Sequence, residues 1–277
     1  MYRFIFNRVK KIVPRISDTE LIALRTGNTN LDRQIFSGQV ILPEKNEVKK
    51  NHNFDFNQVD NLLDKYGNNY SYPSDNYKDT LKFLSKNKFF SFLIDDKYEG
   101  NKLSIKELSD TLTKISSKNP ALGVTVMVPN SLGPGELLSN YGTEKQKNKY
   151  LPKLSNGEII PCFGLTGPNN GSDALGKIDT GVLKMKNGKR VVEVEINKRY
   201  ITLAPIADLV GLAIRLEDPD KLLSKGEEGI TVFLLEKNHP NLKLETYHNP
   251  LNIGFPNGTV KGKLELDLET IIGGEEN

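Results

Sequence analysis

The stretch of this chain best suited to chemistry is PCFGLTGPNNGSDA, Pro161 to Ala174. Gly164, Gly167 and Gly171 allow the backbone a positive φ and a close approach to a ligand. Successive amides in such a turn form a concave anion site, which a phosphate-bearing cofactor needs. Thr166 and Ser172 add hydroxyls able to donate to, or accept from, a ring edge or a phosphate. The same residues would equally serve as a glycine-rich interdomain turn, and pattern alone does not separate the two. Other chemistries are poorly served. His52, His239 and His248 fall on no metal-ligand spacing. Cys162 is the single cysteine, so no internal disulfide forms. With nothing basic beside it in the sequence, it reads as a small buried side chain rather than a reactive thiol. Neither a Gly-x-Gly-x-x-Gly after a strand nor a Walker A sequence is present, so a Rossmann or P-loop site is unsupported.

The elements that must position this stretch fall into two halves. Apolar residues at helical spacing run from Phe54 to Tyr66, stopped by Gly67, and again from Lys78 to Phe92. Ser104 to Ser117 repeats the pattern, with Ile105, Leu108, Leu112 and Ile115 on one side. Thr143 and Gln146 form a capping box that starts a helix running through Tyr150. From about Ile160 the period shortens. Val191, Val192, Val194 and Ile196 predict a strand, as do Ile230 to Leu235, Leu242 to Thr246, and the alternating Leu264, Leu266 and Leu268. Asn187-Gly188 and Asn257-Gly258 predict hairpin turns. A helical half followed by a β half predicts an α+β chain of two domains rather than βαβ units. Residues 38–53 read as a surface connection.

The 277 residues carry 38 basic and 35 acidic side chains, a formal charge of +3, which gives no argument for nucleic-acid binding. No apolar run reaches the roughly 20 residues that span a bilayer. The expected address is therefore intracellular, in the cytoplasm or on the inner face of the cytoplasmic membrane. The second possibility comes from the N-terminus, where Arg3, Arg8, Lys10, Lys11 and Arg15 occur with no acid before residue 16. At about 100° per residue, Tyr2, Ile5, Phe6, Val9, Ile12 and Val13 gather on one face, with Phe4 the large misfit. Residues 1–13 fit a helix on an anionic membrane surface, or one docked on the rest of the protein.

The segment around Pro161 resembles the flavin-binding signature of acyl-CoA dehydrogenases. Phe163, Thr166, Pro168, Gly171, Ser172 and Asp173 stand at the positions of its aromatic-x-x-Thr-x-Pro-x-x-Gly-Ser-Asp pattern. Upstream, Tyr141 to Glu158 resembles the helix and turn leading into that domain. Downstream, Tyr200-Ile201-Thr202 resembles the aromatic-Ile-Thr triplet beside the flavin ring. Val128 to Thr143, Pro161 to Ala174, Asn197 to Ala213, Leu251 to Lys263 and PRISDTELIAL near the start are similar to the long-chain proteobacterial branch, which serves fatty-acid β-oxidation. The resemblance implies an N-terminal all-α domain (54–159) after a basic amphipathic segment and connection (1–53), then a middle β-barrel domain (160–277). It implies FAD as cofactor, with Phe163, Gly164, Leu165, Thr166, Gly171, Ser172, Tyr200, Ile201 and Thr202 in contact with it. Ser172 would also touch the CoA part of the substrate. Three departures stand out: a common Thr-Glu-Pro is Thr166-Gly167-Pro168 here, Asn170 replaces the usual Ala before Gly-Ser-Asp, and Tyr200 replaces a frequent Trp while still offering a ring face.

Family chemistry takes the α-proton of an acyl-CoA to a carboxylate while the β-hydride passes to the flavin. The electrons then leave to an electron-transfer flavoprotein. The carboxylate belongs to a C-terminal helical domain, which the sequence as read, ending at IIGGEEN, is expected to lack. Glu275 and Glu276 at a frayed terminus would not hold a base in place, so no catalytic residue is assigned. Two expectations follow. One is a long-chain acyl-CoA dehydrogenase, present here as an N-terminal and middle-domain fragment, whose C-terminal domain comes from a separate chain or has been lost. The other is a non-catalytic remnant, or a flavin- or partner-binding module.

Overall fold

Side chains that satisfy orphaned backbone groups set where the helices of this chain begin and end. The structure, a computed structural model, describes residues 2–12, 21, 22, 24, 25, 30–41, 54–131, 133–173, 176–225 and 228–275. Most of the expected connection 38–53, most of PRISDTELIAL, Val13, Ala174 and Glu276 lie outside the described residues. The chain divides into two compact units, Met1–Val48 and Lys49–Asn277. In the first, α1 (Tyr2–Ile12) and α2 (Asn30–Ser37) are helical. Tyr2, Ile5, Phe6 and Val9 of α1 are exposed. The misfit Phe4 lies one turn before Arg8, whose guanidinium carbon is 5.1 Å from its ring centroid.

The second unit opens with α3 (Asn57–Tyr66) and α4 (Tyr77–Lys86), followed by α5 (Ile105–Lys118) and α6 (Pro120–Met127). Helices α7 (Pro134–Tyr141) and α8 (Glu144–Ser155) complete the helical part. Ser104 with Glu107, and Thr143 with Gln146, form reciprocal capping boxes at the starts of α5 and α8. The segment expected to stay helical to Phe92 stops at Lys86, and Lys88 takes φ 59°. Its apolar residues Phe89, Phe90 and Phe92 instead form a buried loop. Buried loop backbone needs partners, and Asn130 provides them. Its Oδ1 accepts from the Phe92 amide at 2.8 Å, and its Nδ2 donates to the Phe89 carbonyl at 2.6 Å. Ile105 also departs from expectation. It is 71% exposed, and the buried stripe of α5 is Leu108, Thr111 and Ile115.

Among the described residues seven strands follow: β1 (Pro161–Gly164), β2 (Thr180–Lys186), β3 (Lys189–Thr202), β4 (Leu209–Glu217), β5 (Gly229–Glu236), β6 (Lys243–Glu245) and β7 (Asn257–Asp267). β1 and β2 pair parallel with successive parts of β4, whose other edge pairs antiparallel with β5. From β2 the order continues through β3 and β7 to β6. Asn187 and Gly188, at φ 50° and 76°, make the two-residue β2–β3 turn expected of them. The second Asn-Gly pair is not a turn. Asn257 and Gly258 begin β7, opposite Thr202 and Ile201. Glycine is required there by packing, since a Cβ on Gly258 would sit 2.8 Å from the Thr246 carbonyl oxygen. The sheet curls into a barrel. Past β7, Ile271 bridges to Phe233 of β5, and the Ile272 amide donates to the Val232 carbonyl at 2.9 Å.

Helices and barrel share a main hydrophobic core, in which Phe54, Phe89 and Leu122 join Val192, Val210 and Phe255, and a second cluster joins Leu138 and Leu151 to Leu209 and Leu234. Gln146 ties them by hydrogen bonds. Its Nε2 donates to the Ile271 carbonyl at 2.6 Å, and its Oε1 accepts from the Gly273 amide at 3.0 Å. The architecture is thus α+β, an all-helical N-terminal part followed by a β-barrel.

Candidate functional site

Strand β3 brings together two of the segments expected to do chemistry. Alternation along it turns Val192, Val194, Ile196 and Lys198 to the buried side. The alternation then breaks. The β3–β7 register shifts between Arg199 and Ile201, and the extra residue, Tyr200, adopts φ 58°. Such a bulge re-aims a side chain. Tyr200 is left 60% exposed, whereas Ile201 returns to the core at 2%. The His248 ring lies 5.0 Å from that of Tyr200, and the Arg199 guanidinium carbon is 5.9 Å from the Tyr200 centroid.

The glycine-rich loop after β1 is sewn to this bulge. The Arg199 amide donates to the Thr166 carbonyl at 3.1 Å, and the Thr166 hydroxyl donates back to the Arg199 carbonyl at 3.3 Å. Gly167 and Asn170 form an isolated bridge, and Asn170 Nδ2 donates to the Leu165 carbonyl at 3.3 Å. A Cβ on Gly167 would lie 2.8 Å from the Asn197 carbonyl oxygen. The Thr-Gly-Pro departure is therefore matched by a backbone approach that leaves no room for a side chain in this conformation. Phe163, half-buried, lies opposite Gly211 in the β1–β4 ladder, and its ring covers that glycine.

The Thr166–Arg199 bonds thus place the end of the Phe163–Thr166 segment beside the start of the Tyr200–Thr202 segment, with Gly164 and Ile201 buried. Ile201 itself is paired with Gly258 in the β3–β7 ladder, so it supports this surface from beneath rather than lining it. Gly171 and Ser172 lie exposed further along the loop, and a Cβ on Gly171 would meet open space. Cys162 is fully buried, and burial pushes its thiol up to about 12, so thiolate chemistry is closed to it.

Four residues outside the expected set complete the site. Lys198 is fully buried beneath the loop, where its Nζ donates to the Leu165 carbonyl at 3.1 Å and meets Asp179 Oδ2 at 3.1 Å. Burial holds its ammonium below the ordinary lysine range, opposed by the Asp179 charge. Asp179 Oδ2 also accepts from the Asn197 amide at 3.2 Å. Beside Thr202 on the neighbouring strand lies Asn257, whose carbonyl accepts from the His248 amide at 2.7 Å. The buried atoms His248 Nε2 and Asn257 Oδ1 have no hydrogen-bond partner among the described residues. Lys198 was findable in the sequence, as the next inward position after Val192, Val194 and Ile196. Asp179, His248 and Asn257 carry no such signal.

Residues 49–158 match the description "Acyl-CoA dehydrogenase, N-terminal domain", and residues 162–261 match "Acyl-CoA dehydrogenase, middle domain". The chain is 31% identical over 197 residues to an acyl-CoA dehydrogenase of Bacillus subtilis (strain 168), covering 70% of this chain and 49% of that protein. Its fold is similar to that of a glutaryl-coenzyme A dehydrogenase in complex with glutaryl-CoA, at a TM-score of 0.64 and 24% identity, covering 80% of this chain and 58% of that one. It is also similar to an acyl-CoA dehydrogenase from Bacillus anthracis complexed with FAD, at a TM-score of 0.59 and 22% identity, covering 78% of this chain and 35% of that one. The chain spans about half the length of the curated relatives it matches.

Proposed function

Since the chain belongs to the acyl-CoA dehydrogenase family through its N-terminal and middle domains, we propose that it holds FAD and the acyl-CoA thioester for α,β-dehydrogenation in fatty-acid β-oxidation. The observation that carries this reading is the junction of Thr166 with the Tyr200 bulge, which sets an exposed aromatic ring beside a glycine-rich turn. A flat π system is suited to that ring face, and polar ring edges are suited to fixed donors and acceptors.

Bound there, FAD would supply a hydride acceptor for the acyl β-carbon. The chain's own residues orient and bind. The Thr166 hydroxyl keeps lone pairs able to accept from a ring N–H while it donates to Arg199. Gly171 lets phosphate oxygens approach the backbone, and Ser172 adds a hydroxyl toward phosphate and the CoA part of the substrate. Asp179 is committed to Lys198 and the Asn197 amide, so it is not the proton-abstracting base. Preference for long acyl chains is supported by the likeness of residues 128–143, 161–174, 197–213 and 251–263 to the long-chain proteobacterial branch. Electrons would leave to an electron-transfer flavoprotein, as that resemblance implies.

The test supplies the family's C-terminal helical domain in trans. Mixed with that domain, the chain should give a yellow protein that oxidises palmitoyl-CoA with a dye acceptor. A yellow protein without turnover would favour a flavin-binding module that is no dehydrogenase, and a colourless mixture would count against both.

The exposed apolar residues of α1, with Arg3, Arg8 and Lys10 and no acid in its first turn, support peripheral contact with an anionic membrane. No described helix is long and apolar enough to cross one. Deleting residues 2–12 should abolish sedimentation with phosphatidylglycerol vesicles, and unchanged sedimentation would refute the contact.

A further inference from the structure

A lysine at 0% exposure is rare, and its pairing with an acid is seldom a net source of stability. An apolar side chain of similar volume commonly serves a folded core as well or better. Retaining an ammonium beneath the loop therefore calls for a role that charge and hydrogen bonding perform and packing does not.

The contacts of Lys198 supply one. Its Nζ reaches the Leu165 carbonyl at 3.1 Å, in the loop, and Asp179 Oδ2 at 3.1 Å, in the segment leading into β2. The next residue, Arg199, exchanges backbone and hydroxyl bonds with Thr166, and the residue after that is the bulged Tyr200. Asp179 in turn accepts from the Asn197 amide, so the pair is anchored at both ends. Side chain and backbone of residues 197–199 are thus directed at one target, Leu165 to Gly167. On the premise that this loop holds FAD, we infer that Lys198 is a positioning residue. It clamps the Leu165 carbonyl from below, and so fixes the Thr166 hydroxyl and the following amides relative to the Tyr200 ring. It touches no ligand itself.

The experiment compares the full chain with K198M and with K198M/D179N, without and with FAD. K198M leaves Asp179 without its counter-charge and should lower Tm. The double variant removes both charges and should unfold within about 3 °C of the wild type. In the double variant, hydrogen–deuterium exchange of the peptide spanning residues 163–172 should speed up about tenfold without cofactor. FAD affinity, read by flavin fluorescence, should fall by a similar factor, about the worth of one hydrogen bond to a charged group. Wild-type exchange in that peptide would overturn the clamp. So would failure of the double variant to fold, which would make the pair purely structural. If the wild type binds no FAD, the flavin premise fails, while the exchange measurement still decides whether Lys198 orders the loop.

Discussion

Replacing Phe89 by alanine should lower the free energy of unfolding by about 3–5 kcal/mol, read as a lower urea midpoint at unchanged slope. The ring is fully buried where a helix was expected to continue. It meets Phe54 edge-on at 5.4 Å and lies 5.7 Å from Phe92. Such pairs add to the stabilisation from burial alone. Collapse around the cavity is restrained, because Asn130 pins the loop backbone on both sides of the ring through the Phe89 carbonyl and the Phe92 amide. The same core continues into the barrel, so the loss should be felt by the whole second unit. A cost under about 1 kcal/mol, the range of an exposed site, would show that the loop repacks freely.

The second large effect should be on binding. Gly167→Val should weaken FAD binding by about tenfold or more while lowering stability by about 1–3 kcal/mol, the worth of the two hydrogen bonds it breaks. A Cβ at this position meets the Asn197 carbonyl oxygen at 2.8 Å, and a backbone atom cannot swing aside as the end of a flexible side chain would. The loop must lift from β3, which would break the Thr166–Arg199 pair that joins the two halves of the site. Since Gly167 is only half-buried, little core is disturbed. Titration of both proteins with FAD, with thermal unfolding in parallel, separates the two quantities. Equal affinity would mean that the Thr166–Arg199 junction does not hold the cofactor.

Much of this was legible in the residues. The Thr143–Gln146 capping box gave α8 its start, because the two residues satisfy each other's backbone amides, and apolar spacing gave α5. Alternation revealed β3, and the order of motifs pointed to the family. Three features were hidden. The run Lys78 to Phe92 has helical spacing throughout, yet its last aromatics serve a loop whose partner, Asn130, is distant in sequence. Asn257-Gly258 has hairpin composition, yet its glycine answers the close approach of Thr246. β4 is buried along nearly its whole length, so its Leu-Val-Gly-Leu-Ala-Ile run has no alternation to announce it. In the site, the inward rhythm of β3 could have marked Lys198, which was not among the expected residues. Nothing local marked Asp179, which is defined only by a contact made across the fold.

The most direct test of the account is an FAD titration of the purified chain, followed by flavin fluorescence and visible absorbance. One FAD should bind per chain, with quenched fluorescence and a resolved flavin spectrum, and both Gly167→Val and K198M/D179N should weaken that binding without unfolding the protein. Absence of binding by the folded wild type, or binding that neither substitution affects, would contradict the assignment of the Thr166 loop and Tyr200 bulge as the flavin site.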